Sequence, residues 1–234
     1  MYPVTVIQDF TFRLDILQPP QRRLWDEFDA VPAEFVLYGG TAIALQLGHR
    51  QSEDFDFFSN RPLDPTRLVP AIAFLTTATV TRREPNTFRC LVDRGGAVKL
   101  SFFGLPGMRR LSPPLIAPDN GLRVASLLDL AGMKATAVQM RAEAKDYLDI
   151  DAILTDGRMD LPMALASARA IYGQQFNPLA TLKALVYFQD GTVRRLPQAV
   201  RDRLVRACRA VDLDRLPRLA PAGGGTDQDH GRPR

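Results

Sequence analysis

The chain has 234 residues, 46% hydrophobic and 24% charged, with a formal net charge of +4; that suffices for one large or two small domains with packed cores. It holds no run of about 18 apolar residues able to cross a membrane, its first residues lack the basic-then-apolar pattern of a secretory signal, and two distant cysteines, Cys90 and Cys208, make neither a disulfide framework nor a zinc site. A soluble cytoplasmic protein with free thiols is expected, and its mild positive charge permits a nucleotide or nucleic-acid partner without requiring one.

In chain order, residues 1–33 are mixed, with Pro19-Pro20 breaking the pattern and a helix expected over 21–28. Residues 34–38 read as a strand that ends at Gly39-Gly40, and 41–48 as a short apolar helix with Thr41 as its N-cap. Phe55, Phe57 and Phe58 mark a second strand. Asp64-Pro65 opens a helix to about residue 75, with proline in its first turn. Strands at 78–84, 88–93 and 97–103 follow, the last two joined by the hairpin signal Arg94-Gly95-Gly96. Phe88, Cys90 and Val92, then Val98, Leu100 and Phe102, alternate with polar residues, as in half-buried antiparallel sheet.

Gly107, Pro113-Pro114 and Pro118-Asp119-Asn120-Gly121 mark a loop and a turn. From Ser126, which with Asp129 resembles a capping box, the pattern is helical: to about 140, then over 144–154, 161–172, 178–188 and 198–210. The tail from Pro221 is polar, rich in Gly and Pro, and expected to be disordered. The expected organisation is an α/β domain over 1–118, a helical domain over 119–218 and a tail over 219–234.

Asp54 and Asp56 sit two apart in a strand, so both side chains share one face while Phe55 and Phe57 point into a core. Side-by-side carboxylates repel unless a cation sits between them, and hard oxygen ligands at this spacing suit Mg²⁺ (or Mn²⁺), which completes its shell with phosphates and water. Gly39-Gly40 lets backbone amides approach a ligand closely, the following helix start favours phosphate, and Thr41 adds a hydroxyl. A triphosphate could span from that helix start to a metal on Asp54 and Asp56; the alternative is a solvated acidic strand edge. Arg50 either holds phosphate as a planar fork or pairs with Glu53 or Asp54, and His49 is read as structural or exposed.

Only four residues are lysine (99, 134, 145 and 183) among 30 Lys and Arg, so a lysine in a selected place is informative. Helical spacing puts Lys134 on the stripe with Leu127, Leu130, Ala131, Ala137, Val138 and Arg141, where it must snorkel or meet an anion. Asp146 and Asp149 lie one turn apart on one helix face and could pair with Lys145 or Arg141.

The stretch GGTAIALQLGHRQSEDFDFF, with its Gly-Gly-Thr, its His-Arg-x-Ser ending in Ser52 and its D-x-D, resembles the AbiEii/AbiGii toxin family of nucleotidyltransferases. Lys134, Arg141 two turns on, and Lys145-Asp146-x-x-Asp149 resemble that family's second region, so the likeness covers roughly 34–155. It implies an α+β fold: a nucleotidyltransferase-like mixed sheet with flanking helices, then a helical C-terminal half closing over the nucleotide. It implies transfer of a nucleoside monophosphate from a nucleoside triphosphate to an acceptor hydroxyl, RNA or tRNA among the acceptors, by a toxin of a toxin–antitoxin or abortive-infection system with a cognate antitoxin. By the same likeness Asp54 and Asp56 hold the metal, and Lys134 contacts phosphates. Gly39, Gly40, Thr41, Arg50, Ser52, Lys99, Arg141 and Asp146 serve the nucleotide. Asp149, or else Asp146, acts as general base or orients the acceptor.

One departure matters. Many nucleotidyltransferases carry a third carboxylate on a later strand; the matching strand here, 98–103, offers Lys99 and Ser101 on one face and no acid, and serine is a poor base at neutral pH. Asp149 is the candidate substitute, Asp93 a second one, and slow or lost turnover the remaining possibility. A silent member that only binds nucleotide, nucleic acid or a partner is therefore the alternative. The late arginines Arg194, Arg195, Arg201, Arg203, Arg206 and Arg209 could follow an RNA backbone or form a solvated face with partners such as Asp202.

Overall fold

Alternating apolar residues assemble the sheet. In the computed structural model, which describes residues 11–221, strands β1 (Val36–Tyr38), β2 (Asp54–Ser59), β3 (Thr79–Glu84), β4 (Thr87–Asp93), β5 (Ala97–Gly104), β6 (Leu115–Ile116) and β7 (Arg123–Val124) form one mixed sheet in the order β3-β4-β5-β2-β1-β7-β6. The β4–β5 hairpin sets Phe88 opposite Phe102, Cys90 opposite Leu100 and Val92 opposite Val98, all buried. Its turn is closed by Asp93 Oδ1, which accepts from the backbone N–H groups of Gly95 and Gly96. Strand β2 runs parallel to β5 and antiparallel to β1. Phe55 and Phe57 enter an aromatic core in which the Phe28 ring lies 4.8 and 5.4 Å from theirs, and Phe57 stacks on Phe102 at 4.8 Å.

The helices are α1 (Pro19–Trp25), α2 (Gly39–Leu47), α3 (Pro65–Ala71), α4 (Leu127–Met140), α5 (Ala144–Thr155), α6 (Leu161–Tyr172), α7 (Pro178–Val186) and α8 (Gln198–Arg209). Pro19-Pro20 starts α1 rather than interrupting the chain, since proline fits a helix's first turn. Helix α3 stops short of residue 75: Pro70 lacks an N–H inside it, and only a 3-10 turn, Ala73–Leu75, follows. Helix α2 begins at Gly39, so Thr41 is inside its first turn and caps nothing; its hydroxyl donates to the Asp54 carbonyl and pins α2 to β2. Ser126 caps α4 as expected, accepting from Asp129 N at 3.1 Å. Gly132 lets α4 and α6 touch, because a Cβ there would stand 2.9 Å from Ala168 N.

Strands β6 and β7 occupy a stretch expected to be loop and turn. Two-residue strands carry no periodicity to read, yet β7 pairs in parallel with β1 and carries the sheet to Val124, past residue 118. Among the described residues no helix is long and apolar enough to cross a membrane. The expected tail disorder, from residue 222, and the reading of the first ten residues fall outside the described residues.

Candidate active site

A cleft of about 600 Å³ opens between the polar face of β2, β5 and β4, the start of α2, and α4. The period of β2 turns Asp54, Asp56 and Phe58 into it while Phe55 and Phe57 are wholly buried behind. Gly39 and Gly40 form the opposite lip. Gly39 holds φ +76°, and a Cβ there would stand 2.9 Å from Asp56 Oδ2; one on Gly40 would stand 2.2 Å from Arg50 Nη2. Only glycine lets α2 start so close to the carboxylates.

Burial pushes the Asp56 carboxyl above its ordinary range; the charge of Asp54 adds to this, while a hydrogen bond from Ser101 and the charges of Arg89 and Lys134 oppose it. Asp54 Oδ1 is shut off from solvent without a hydrogen-bond partner, and Lys99 Nζ stands 3.6 Å away. Two adjacent, under-satisfied hard oxygen donors fit a divalent cation such as Mg²⁺, which needs only one or two carboxylates from the protein. The described residues hold no cluster of three or more His, Cys, Asp or Glu side chains at metal-binding distance, so a cation here would take its other ligands from substrate and water.

The far wall is cationic. Lys134 Nζ lies 2.6 Å from Asp146 Oδ1 and 2.7 Å from Asp149 Oδ2. Arg141 Nε donates to Asp146 Oδ2 at 2.7 Å. Arg50 grips Asp149 through Nε at 2.7 Å and Nη2 at 3.0 Å, and His49 Nε2 lies 2.7 Å from the same carboxylate. The result is one ladder, His49 and Arg50 on Asp149, Lys134 between Asp149 and Asp146, and Arg141 on Asp146. Arg50, Lys134 and Arg141 line the cleft, whereas Asp146 and Asp149 lie fully buried behind them. Burial works to raise the Asp149 carboxyl, but hydrogen bonds from His49 and Arg50 and the charge of Lys134 reverse this and hold it far below the usual carboxylate range.

Several expectations change here. Asp146 and Asp149 do not line the cleft: they share a face of α5, but that face packs inward, and both carboxylates are engaged by His49, Arg50, Lys134 and Arg141. Arg50 pairs with Asp149 rather than with Glu53 or Asp54. Lys134 meets its anions inside the protein. Lys145 lines the cleft and pairs with Glu143 at 3.0 Å, not with an aspartate of α5. Thr41 turns its hydroxyl to the β2 backbone, away from the cleft. Gly39, Gly40, Ser52 and Lys99 do line it, Lys99 pairing with Glu53 at 3.2 Å. Asp93 is engaged in its hairpin turn, beyond the last cleft-lining residue of β4, Leu91. Of the late arginines, Arg203 is tied to Asp151 at 2.6 Å and Arg201 to the Arg194 carbonyl, while Asp202 accepts from Gln198.

The sheet register sets Ser101 directly beside Asp56 and Lys99 beside Asp54. It also supplies residues the sequence reading missed: Arg89 on β4 sits opposite Ser101, and Thr81, Phe58 and Phe103 line the same cleft. The alternation of β4, which buries Phe88 and Cys90, could have flagged Arg89 as their cleft-facing counterpart.

Comparison with known proteins agrees with this geometry. Residues 22–222 match the family model described as nucleotidyl transferase AbiEii toxin, type IV toxin–antitoxin system. An uncharacterized protein of Aquifex aeolicus is 31% identical over 159 residues, 67% of this chain and 75% of that one. Two solved structures share the fold. MenT4, a nucleotidyltransferase toxin of Mycobacterium tuberculosis, superposes with a TM-score of 0.51 at 16% identity, over 81% of this chain and 87% of its own. A candidate nucleotidyltransferase from H. pylori does so with a TM-score of 0.51 at 15% identity, over 79% and 88%.

Proposed function

We propose, for a chain that belongs to the AbiEii family of nucleotidyltransferase toxins, that it moves a nucleoside monophosphate from a nucleoside triphosphate to an RNA hydroxyl, tRNA included, with Mg²⁺ or Mn²⁺ as cofactor. The observation that carries this reading is the placement of Asp54 and Asp56 side by side in a cleft whose opposite lip is Gly39-Gly40 and whose far wall is Arg50, Lys134 and Arg141. Family membership adds a toxin role with a cognate antitoxin, and we place the protein in the cytoplasm.

The residues divide the work. Asp54 and Asp56 would hold the cation, whose chemistry is to neutralise phosphate charge and polarise the phosphorus under attack. Gly39 and Gly40 keep the lip free of side-chain atoms, so that the phosphates approach the backbone of α2. Arg50, Lys134 and Arg141, with Lys145 at the rim, supply fixed positive charge toward the departing pyrophosphate. The acceptor oxygen forms its bond to the α-phosphorus as the bond to the pyrophosphate oxygen breaks, and the hydroxyl proton passes to solvent water. Asp146 and Asp149 act at one remove, orienting the cations. The cleft therefore has no carboxylate set apart as a base, and positioning with charge neutralisation has to carry the rate; slow turnover is expected.

A second reading, a member that binds triphosphate without turnover, has one observation in its favour: Ser101 stands where a third acid would stand beside Asp56. One experiment separates the two. Each α-³²P-labelled nucleoside triphosphate is incubated with the protein, Mg²⁺ and total RNA. Label in RNA, abolished by EDTA and by Asp56→Ala, supports transfer. Triphosphate binding with no label in RNA or protein supports the silent reading.

A further inference from the structure

We propose that Arg89 binds the acceptor, gripping a backbone phosphate of a single-stranded RNA 3′ end whose terminal hydroxyl lies over Ser101; this rests on the nucleotidyltransferase reading. In-line displacement requires the attacking and leaving oxygens on opposite sides of phosphorus. The leaving side is fixed by the start of α2 with Arg50, Lys134 and Arg141, so the acceptor enters from the other side of Asp56. There the register reads Asp56, Ser101, Arg89 across β2, β5 and β4. With neighbouring strands about 4.8 Å apart, the strand of Arg89 lies about one nucleotide beyond that of Asp56.

Arg89 is also differently held from the other cleft cations. Arg50, Lys134 and Arg141 rest on buried aspartates, Lys99 on Glu53 and Lys145 on Glu143. Arg89 is exposed, and among the described residues no carboxylate lies within ion-pair distance of it; its guanidinium lies over the Phe103 ring, 5.4 Å from the centroid. The ring holds the guanidinium by its positive charge without taking up its N–H donors, and arginine takes phosphate through two parallel hydrogen bonds. Beyond it, on the exposed strand β3, Arg82 is in register with Arg89 and pairs with Glu84 at 2.8 Å, while Arg83 is in register with buried Phe88 on the other face. Among the described residues Arg89 is thus the cation on this side of the cleft with no carboxylate partner, and a phosphate of the acceptor fits it.

The test compares wild type with Arg89→Gln and Arg89→Lys. In label transfer, Arg89→Gln should raise KM for RNA at least tenfold and leave KM for triphosphate unchanged, with Arg89→Lys in between because it keeps charge and loses the fork. In fluorescence anisotropy with a short single-stranded RNA carrying fluorescein at its 5′ end, Arg89→Gln should lower the slope of log affinity against log salt by about one. A rise in KM for triphosphate alone would assign Arg89 to the leaving side and overturn the proposal, as would unchanged RNA binding. If wild type transfers nothing, the nucleotidyltransferase reading fails while the anisotropy arm still decides Arg89. Transfer to protein with no RNA bound would also overturn it.

Discussion

Replacing Asp149 by asparagine keeps the side chain's shape and removes its charge. The wild-type carboxylate is fully buried and holds His49, Arg50 and Lys134 at 2.7 to 3.0 Å. An amide offers one acceptor where there were two, and its NH₂ must face the donors of Arg50 or Lys134. Lys134, 7% exposed, is then left with Asp146 alone. Breaking a buried ion pair by removing one partner costs about 3–5 kcal/mol. At roughly 2–4 °C per kcal/mol for a chain of this size, Tm should fall by roughly 6–20 °C at neutral pH. The pH dependence has a definite sign. The folded-state pKa of Asp149 is depressed, so its contribution is complete above the unfolded value of about 3.9 and is lost as pH falls below it. The gap between wild-type and Asp149→Asn melting curves should therefore narrow on acidification toward and below that value. Circular dichroism melts across pH test both parts. A variant that melts within about 2 °C of wild type at pH 7 would refute the ladder as a source of stability, and lost transfer in such a variant would return Asp149 to a role on the substrate.

Asp56→Asn removes one of two neighbouring like charges and should abolish transfer while leaving Tm unchanged or raised by the equivalent of about 0.5–2 kcal/mol; a clear fall in Tm would show that Asp56 is a structural carboxylate. Gly40→Ala places a methyl 2.2 Å from Arg50 Nη2 and displaces that flexible group, so triphosphate Kd should rise by roughly ten- to a hundredfold, the worth of a charged hydrogen bond; an unchanged Kd by calorimetry would remove Arg50 from the phosphate site. Ser101→Ala should keep kcat within about tenfold, because its hydroxyl serves as a donor to Asp56; a loss of about a hundredfold or more in single-turnover transfer would instead give Ser101 a proton-transfer role.

Periodicity and motif made much of this molecule legible in its sequence. The alternation around Asp54 and Asp56 dictated which side chains face a cleft, because a strand leaves no choice once Phe55 and Phe57 must be buried. The paired runs 88–93 and 98–103 announced their hairpin through Arg94-Gly95-Gly96. What stayed hidden was tertiary. Nothing local says that the face of α5 bearing Asp146 and Asp149 packs inward, since aspartates one turn apart look the same on a solvated face as beneath a row of cations. Arg50 chose a partner 99 residues away, over the nearer Glu53 and Asp54. The alternation of β4 could have put Arg89 on the cleft face, but its place beside Ser101 needed the register of β4 against β5.

The buried aspartates also bear on how the proposed triphosphate site would keep its cations in place before substrate arrives. Arg50, Lys134 and Arg141 come from the loop after α2, the middle of α4 and the C-cap of α4, and without counter-charges they would repel one another. Asp149 and Asp146, seated between them, fix each head group from behind by charge-assisted bonds. Three cations over two carboxylates leave a net positive charge facing the cleft. Because those side chains are already ordered, a phosphate that meets them recruits little further loss of rotamer freedom. The carboxylates proposed to hold metal are arranged in the opposite way: Asp54 and Asp56 share one face of β2 and an Asp54 oxygen has no hydrogen-bond partner, so a cation with its triphosphate would neutralise the two charges there. Binding should therefore stabilise this protein more when both are present than the two separately, a synergy that melting curves with Mg²⁺, with triphosphate, and with both together would measure; strictly additive shifts would show that the carboxylate pair and the cation ladder do not serve one ligand.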